Sequence, residues 1–363
     1  SLCLEELKEE GNAVLSPASI FSALALAIEC CDGNTRNELL NAIGMEYNVL
    51  KENYARFYEN LNALEQETNQ TKRKLTNSIW INNDFSPKEN CLLNLADKYY
   101  CYSHGVDFKK TEYVNKYITD FISRQTNGFL KPNLNLSPET IFMILNTLYL
   151  RDSWNSRGDD LPFTKEEYKF KNADGTTLSK QFLRGYYKSG KAIATSTYRQ
   201  FYTTTNEYRL SFIVPLEGYR IEDVFTPTVI SDISKSDYTF FNDVENEEDR
   251  EFYYTRCLFP EFSVSSSFSL ENIFKKLGIL DLFDFMNADF SNLAASRDLC
   301  CTNATHLAKL VVNKKGIEGA AVTYLEAATS AGPVKEIFAD FIVDRSFGFV
   351  ISNFTGVNLF SGI

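Results

Sequence analysis

The sequence is poor in histidine and lacks the motifs of common enzyme classes. Its 363 residues include two histidines, His104 and His306, and neither a Gly-x-Ser-x-Gly nor a His-Glu-x-x-His motif. The usual signatures of serine hydrolases and zinc proteases are therefore missing. Serines are numerous, so a catalytic triad dispersed along the chain stays open, although no pattern favours one. We expect a protein that is not an enzyme and that needs no cofactor and no metal.

One stretch nearly matches a phosphate-binding loop. The segment from Gly185 to Lys191 has the glycines and the lysine of that motif, but Ala192 stands where a Ser or Thr hydroxyl would bind Mg²⁺. The segment also lies within a predicted β-hairpin and does not open a helix. The sequence therefore does not predict a nucleotide site.

Positive charge and long apolar runs are also scarce. The chain has 37 Lys and Arg against 48 Asp and Glu, a net charge of −11, which is the wrong sign for binding a phosphate backbone. We interpret the one basic run, Lys72-Arg73-Lys74, as a solvated helix end. The best apolar run, Phe21 to Ile28, is much shorter than the roughly 20 residues of a membrane-spanning helix. We expect neither a nucleic-acid partner nor a membrane span.

The eight cysteines contain no Cys-x-x-Cys pair and no zinc-type spacing with histidine. The adjacent pairs Cys30-Cys31 and Cys300-Cys301 are awkward for ordinary disulfides, and we predict that most of the cysteines are buried thiols. Four Asn-x-Ser/Thr triplets leave the compartment open; they begin at Asn69, Asn135, Asn303 and Asn353. We predict that Asn303 lies in a strand beside His306, where it would be a poor glycan acceptor.

The beginning of the chain does not decide the compartment either. Ser1 falls inside what has the pattern of an amphipathic helix, so a signal peptide would lie outside the sequence. An extracellular or cell-surface location is the expectation, and a cytoplasmic one is the alternative.

Apolar periodicities place helices early in the chain and strands mostly later, which is typical of an α+β protein with large sheets. We find no linker, repeat or low-complexity tract, so we expect a single domain over residues 1–363. The run 141–150 is continuously apolar, as in a strand buried on both faces. The predicted helices cover 2–10, 17–28, 35–43, 50–67, 92–100, 113–126 and 270–277. The predicted strands cover 75–81, 106–108, 141–150, 182–215, 252–264, 308–313 and 338–349.

Motifs dispersed along nearly the whole chain resemble those of the serpin family of serine protease inhibitors. The segment Gly316-Ile-Glu-Gly-Ala-Ala321 resembles the hinge of the serpin reactive-centre loop. The other motifs agree in order and spacing: Asn12-Ala-Val-Leu-Ser-Pro-Ala-Ser-Ile20, Leu145-Asn-Thr-Leu-Tyr149 with Trp154, Phe259-Pro-Glu-Phe262, Leu277-Gly-Ile279 with Ala288-Asp-Phe-Ser291, Phe341-Ile-Val-Asp-Arg-Ser-Phe347 and the terminal Leu359-Phe-Ser-Gly362.

The resemblance implies a fold and a set of functional residues. It implies a large central mixed sheet, further antiparallel sheets, about eight or nine helices and an exposed reactive-centre loop at about 316–337. The residues of the hinge would be Gly316, Ile317, Glu318, Gly319, Ala320 and Ala321. Beneath the central sheet, four polar residues would form the region called the shutter: Ser16, Ser19, Asn146 and His306.

The sequence departs from the family pattern at the base of this loop. Lys314 stands where serpins usually carry Glu, and Glu261 stands where the partner Lys would follow Leu-Pro, so we predict an ion pair with its charges exchanged. Ile317 and Gly319 replace common hinge residues, but neither is charged or proline. The resemblance therefore implies an inhibitor whose cleaved loop can enter the sheet.

By family spacing from Gly316, the scissile bond is Ser330–Ala331, with Thr329–Ser330 as the alternative. The small side chains before it suit elastase-like or subtilisin-like proteases; chymotrypsin-like enzymes stay possible, as do papain-like cysteine proteases. The resemblance implies a monomer that traps its protease covalently. The alternative is a non-inhibitory binding, chaperone or storage protein with the same fold.

Overall fold

The computed structural model of the protein describes residues 11–62, 71–154, 160–188, 192–235, 252–295, 299–318 and 336–363. The predicted helix over 2–10, the triplet at Asn69 and residues 319–335 of the predicted loop lie outside the described residues.

Eight helices occur in the described part of the chain, five of them before residue 126. The first begins as predicted: the Ser16 hydroxyl accepts the Ser19 N–H at 3.2 Å, and Pro17 takes the first helical position, where its missing N–H costs nothing. The helices are α1 (Pro17–Cys30), α2 (Gly33–Ile43), α3 (Tyr47–Asn62), α4 (Glu89–Tyr99), α5 (Thr111–Gln125), α6 (Ile221–Val224), α7 (Pro227–Lys235) and α8 (Glu271–Lys276), with a 3₁₀ turn at Asp281–Phe283.

Sixteen strands form three sheets in the same residues. They are β1 (Val14–Leu15), β2 (Thr71–Asn82), β3 (Cys101–Val106), β4 (Phe142–Ser153), β5 (Phe163–Lys171), β6 (Thr177–Lys188), β7 (Ala192–Ala194), β8 (Tyr198–Thr204), β9 (Tyr208–Pro215), β10 (Phe252–Phe259), β11 (Phe262–Ser269), β12 (Thr305–Asn313), β13 (Gly316–Ile317), β14 (Glu336–Ile342), β15 (Gly348–Asn353) and β16 (Asn358–Gly362).

The central sheet has the order β11-β12-β13-β4-β2-β3 and is mixed, since β2 and β3 run parallel while its other pairs are antiparallel. A second six-stranded sheet, β1-β16-β15-β9-β8-β7, is antiparallel. The third sheet, β14-β10-β6-β5, is also mixed, because β14 runs parallel to β10. The predicted α+β class and large mixed sheet are confirmed, whereas only one of the two further sheets is antiparallel throughout.

Helices cover both faces of the central sheet. Ile79 and Trp80 are neighbours on β2 and therefore face opposite sides. Ile79 packs in a cluster with residues of α1, α3 and α4, whereas Trp80 packs against α5, where its ring centroid lies 5.2 Å from that of Phe121. The central sheet therefore lies between α1 on its inner face and α5 on its outer face.

Three local predictions were wrong. The run Lys72-Arg73-Lys74 lies within β2 and does not end a helix; Arg73 points inward, 8 % exposed, and donates to the Asn60 carbonyl at 2.7 Å. The strand predicted over 106–108 is β3, which ends at Val106. Asn303 is exposed and precedes β12, so it does not lie in the strand beside His306.

The predicted thiols are free cysteines wherever the structure describes them. Five of these are buried and two are partly buried: Cys30, Cys31, Cys91, Cys101 and Cys257, then Cys300 and Cys301. Within the described ranges, no helix combines the length and apolar character that crossing a bilayer requires.

Candidate functional site

The two-residue strand β13 separates the long strands β12 and β4 at the top of the central sheet. Gly316 pairs with Asn313 on one side and Ser153 on the other, and Ile317 pairs with Val312 and Asp152. Because neighbouring strands lie about 4.7–4.9 Å apart, β12 and β4 are held roughly 10 Å apart at this level. The sheet is thus already spread to the width of one extra strand.

Below β13 the space between β12 and β4 is a cavity of about 110 Å³. Residues of β4 and β12 form its sides, α1 contributes Ser16 and Ser19 to its floor, and Phe129 and Leu130 of the α5–β4 connection contribute to its cover. The first five residues of β4 are half-buried, although the first four of them, Phe142 to Leu145, are apolar. The prediction that this run is buried on both faces therefore holds only for its upper part.

Gly316 is the residue that lets β13 enter the sheet. Its φ is +153°, and a Cβ added there would lie 2.1 Å from the carbonyl oxygen of Asp152 on β4. No side chain fits at that separation, so only glycine brings the hinge this close to β4. Ile317 follows with its side chain 1 % exposed, buried in the apolar core.

The structure brings together the four residues predicted for the shutter. The backbone N–H of Ser16 donates to Nε2 of His306 at 3.0 Å, and the Ser19 hydroxyl donates to Oδ1 of Asn146. His306 lies on β12, Asn146 on β4, and the two serines at the start of α1. Among the described contacts, the lower halves of β12 and β4 are therefore linked through the start of α1. Each strand has its own hydrogen bond there, β12 to Ser16 and β4 to Ser19.

Burial sets the protonation state of His306. The side chain is 5 % exposed, and this burial lowers its pKa to about 4. A neutral imidazole with a free Nε2 lone pair is also what the Ser16 N–H requires as an acceptor. At neutral pH the histidine is therefore an uncharged part of the network.

Three further residues extend the shutter network and were not predicted from the sequence. Asn146 donates to Oδ1 of Asn77 on β2 at 2.7 Å, and Asn77 also accepts from the Ser22 hydroxyl at 2.8 Å. Asn77 in turn donates to the hydroxyl of Tyr54 on α3 at 2.8 Å. Ser22 follows Ser19 by three residues, a helical spacing that could have indicated a shared polar face. Nothing local in the sequence marks Asn77 as its partner.

The predicted loop-base pair is in contact, but through different atoms. The Glu261 carboxylate accepts the backbone N–H of Lys314 at 2.7 Å. The Lys314 ammonium pairs with Asp160, Nζ to Oδ2 at 2.8 Å. Asp160 was missed because it is distant in sequence from the loop. Nearby, the indole of Trp154 donates to the Asn313 carbonyl at 2.7 Å, so the chain just before the hinge is fixed from several sides.

Asp152 supports the same region from β4. Its carboxylate is 1 % exposed and accepts the Thr71 hydroxyl at 2.6 Å and the Glu207 N–H at 2.7 Å. Burial raises its pKa, while these hydrogen bonds act in the opposite direction. The strand edge that β13 joins is therefore held in place by a buried, hydrogen-bonded carboxylate.

Three of the six predicted hinge residues, Gly316 to Glu318, are described. Gly319, Ala320 and Ala321 lie outside the described residues, as do the predicted scissile bond at Ser330–Ala331 and the alternative at Thr329.

In the described residues, the central sheet is open by the width of one strand at its top, and a segment of the same chain enters the opening. This is the architecture of the protease-inhibitor class to which the sequence motifs pointed. The chain belongs to the Serpin family: the family profile described as Serpin (serine protease inhibitor) matches residues 3–363.

Relatives and solved structures agree with this assignment. Serpin A3-1 of Bos taurus is 27 % identical over 327 residues, covering 86 % of this chain and 74 % of the relative. Human neuroserpin is 24 % identical over 366 residues, covering 98 % and 86 %. The native structure of the thermophilic serpin Tengpin superposes with a TM-score of 0.78 at 21 % identity, covering 97 % of this chain and 87 % of that one. Human thyroxine-binding globulin gives a TM-score of 0.78 at 20 % identity, covering 99 % and 95 %.

The fit of Gly316 against β4 predicts that Gly316→Ala expels β13 from the central sheet. The added methyl would overlap the Asp152 carbonyl, and φ near +153° is unfavourable for alanine. We expect hydrogen exchange of the amides around Ile317 to rise at least about tenfold, since their partners in β12 and β4 are lost. Gly218→Ala is the control, because Gly218 also has positive φ but faces open space. Unchanged exchange at the hinge would contradict the close fit.

The neutral state of His306 predicts a loss of stability in acid. The pKa is about 4 in the folded protein against 6.5 ordinarily, so on acidification the unfolded chain takes up the proton first. This contribution is constant above about pH 6.5 and is lost as the pH falls towards 4, by up to about 3 kcal/mol. We expect the denaturant midpoint of unfolding to fall less between pH 7 and pH 4.5 in His306→Gln than in the parent. His104→Gln should show most of the parental fall. An equal fall in all three proteins would contradict the assignment of this pH dependence to His306.

Proposed function

We propose that the protein is a suicide-type inhibitor of serine proteases whose cleaved reactive loop inserts into the central sheet. The observation that carries the proposal is β13: the first residues of the hinge already pair with both β12 and β4, above a cavity that continues between those strands. A segment that follows Ile317 needs only to continue in the same direction to add a strand.

In this proposal the target protease attacks the carbonyl carbon of Ser330 with its serine hydroxyl. The bond to the Ala331 nitrogen breaks, the nitrogen leaves as a protonated amine, and an acyl-enzyme on Ser330 results. Thr329–Ser330 is the alternative bond. The freed arm then enters the sheet and carries the acylated protease with it before water can hydrolyse the ester.

The register of β13 predicts how the inserted arm would lie. Because β13 is antiparallel to both neighbours, each residue after Ile317 would pair with a residue one position earlier in β4 and in β12. Thr323, six residues after Ile317, would therefore lie between Asn146 and His306. Side chains directly opposite one another share a face of the sheet. Ile317 points inward, and the residues that follow it at intervals of two would do the same: Gly319, Ala321, Thr323, Leu325 and Ala327.

This inward set suits the space it would enter. Its members are small or apolar, with one hydroxyl at the level of the polar network, so their burial leaves no charge unpaired. The arm would also bond to strands on both of its edges. About ten residues gaining one hydrogen bond each, worth roughly 0.5–1.5 kcal/mol, give on the order of 5–15 kcal/mol in favour of insertion.

The residues before the scissile bond indicate the class of target. Ala327 to Ser330 are small, which suits the shallow primary pockets of elastase-like or subtilisin-like proteases; chymotrypsin-like enzymes and papain-like cysteine proteases are further candidates. Lys335 lies too far on for a trypsin-like target. We propose a monomeric, extracellular or cell-surface inhibitor with no cofactor, and the cytoplasm is the alternative location.

The competing proposal is a serpin-fold binding, chaperone or storage protein. It is favoured by the likeness to thyroxine-binding globulin, whose name states a binding role. Incubation with pancreatic elastase separates the two proposals. An inhibitor gives a covalent complex that survives denaturing electrophoresis, and its cleaved form resists heat more than the intact form. A binding protein that does not insert its loop gives fragments and no gain in heat resistance.

The proposed register makes a prediction with a matched pair of variants. Ala321 would face inward against Leu148 and Ala308, both nearly fully buried, whereas Tyr324 would face outward beside the exposed Thr305. Ala321→Arg would bury an unpaired charge, which costs several kcal/mol, and we expect the fraction of elastase trapped to fall at least about tenfold. Tyr324→Arg should trap elastase nearly as the parent does. If both variants lose trapping equally, the register is wrong.

A further inference from the structure

Glu318, the residue at which the hinge leaves the sheet, is held in an unusual conformation. Its backbone N–H still donates to the Val311 carbonyl on β12 at 2.7 Å, but its φ is +143°. A residue with a Cβ rarely adopts that value, and it persists only where surrounding contacts hold it. Continuation of the strand requires Glu318 to move to the β region, so the observed conformation is not that of a residue within a strand.

Tyr149 on β4 makes a contact that holds Glu318. The Tyr149 hydroxyl donates to Oε1 of the Glu318 carboxylate, and both side chains are about 5 % exposed or less. Burial, followed by the hydrogen bond to Glu318, raises the pKa of the Tyr149 hydroxyl, so it remains a donor at neutral pH. A buried carboxylate gains more from such a bond than a neutral group would.

Tyr149 is itself positioned from above by the α5–β4 connection. Nδ2 of Asn127 donates to the Tyr149 hydroxyl at 3.5 Å, and the ring of Phe129 packs edge-on against the tyrosine ring with centroids 6.3 Å apart. On the opposite side of the gap, the Lys309 ammonium lies 4.7 Å from the centroid of the same Phe129 ring. Asn127 and Phe129, which lie outside the hinge, therefore orient the Tyr149 hydroxyl towards it.

The strand register shows why this contact matters for insertion. Three residues beyond Ile317, Ala320 would lie between Tyr149 and Lys309 in the inserted arm. In the present structure, Tyr149 is instead contacted by the side chain of Glu318, which precedes Ala320 by two residues. Returning Glu318 to an extended conformation redirects its side chain and breaks the present geometry. The contact thus stabilises the hinge as it is, with two residues in the sheet.

We propose that Tyr149 is a positioning residue that latches the hinge through Glu318 and sets how readily the loop enters the sheet. We call this contact the hinge latch. The part of the inference that concerns the rate of insertion rests on the proposed function, because only a loop that inserts can be delayed. The position of the hinge, by contrast, can be measured whether or not the protein inhibits a protease.

The test compares Tyr149→Phe with Tyr47→Phe. Tyr47 is a matched control, because its hydroxyl also donates to a buried carboxylate, that of Glu29 at 2.8 Å, but on α3 and α1, away from the hinge. Hydrogen exchange of the Glu318 amide is expected to rise about tenfold or more in Tyr149→Phe and to stay at the parental rate in Tyr47→Phe. Glu318→Gln, which keeps the shape but removes the charge, should give an intermediate increase and serves if Tyr149→Phe folds poorly.

A second measurement reads the effect on insertion. After cleavage by elastase, the time course of the gain in heat resistance should be several-fold faster in Tyr149→Phe than in the parent and in Tyr47→Phe. Parental exchange at Glu318 in Tyr149→Phe would overturn the latch. A loosened hinge with an unchanged time course would overturn its control of insertion. If even the cleaved parent gains no heat resistance, the proposed inhibitory function fails, and the exchange result alone decides whether the latch exists.

Discussion

The separation of β12 from β4 is the constraint on which the rest of the structure depends. Opening a sheet exposes N–H and C=O groups on both edges, and such groups are costly when they are left without partners. Here the top of the opening is bonded on both sides by β13, through Gly316 and Ile317. Below β13, the start of α1 bonds to the side chains of His306 on β12 and Asn146 on β4. The opening is therefore paired through the backbone at its top and tied to α1 through side chains lower down.

The polar network explains how the opening can exist without weakening the whole sheet. His306 and Asn146 lie on opposite sides of the gap and each bonds to α1, His306 through the Ser16 amide and Asn146 through the Ser19 hydroxyl. Each strand therefore keeps a partner when the other moves. An apolar contact between the two strands would have to be lost outright on opening. A neutral histidine suits this arrangement, since a charged imidazole would have to be desolvated beneath the sheet.

Elements whose signals are local in the sequence could be predicted from it. The helix start at Ser16-Pro17 and the apolar strand at 141–150 follow from capping chemistry and hydrophobic pattern, and both are present. The shutter residues came from family resemblance, because no local pattern joins Ser16 to His306 across 290 residues. The basic run at Lys72 was misassigned because charge suggests exposure.

Contacts between distant segments could not be predicted, because no local pattern in the sequence joins residues that only the fold brings together. Asp160 pairs with Lys314 because the chain folds back at the loop base, and Tyr149 reaches Glu318 because β4 borders the gap. Neither neighbour can be identified from spacing along the chain. The sequence shows that Lys314 and Glu261 exchange the usual charges, but it does not show which groups each of them contacts. Glu261 binds the lysine's backbone N–H, a contact that does not depend on which side chain stands there.

The described start of the hinge changes in character at one residue, Glu318. Before it, Trp154, Glu261 and Asp160 bind the chain at Asn313 and Lys314, so the base of the loop is anchored by several bonds. At Glu318 the backbone keeps one bond to β12 but has already left the β conformation. A strand that enters a sheet in sequence needs a fixed starting register, because a slip of one residue would turn every inward side chain outward. The bonds around Lys314 supply that register, and the strained residue Glu318 follows directly on Ile317, the second residue of β13.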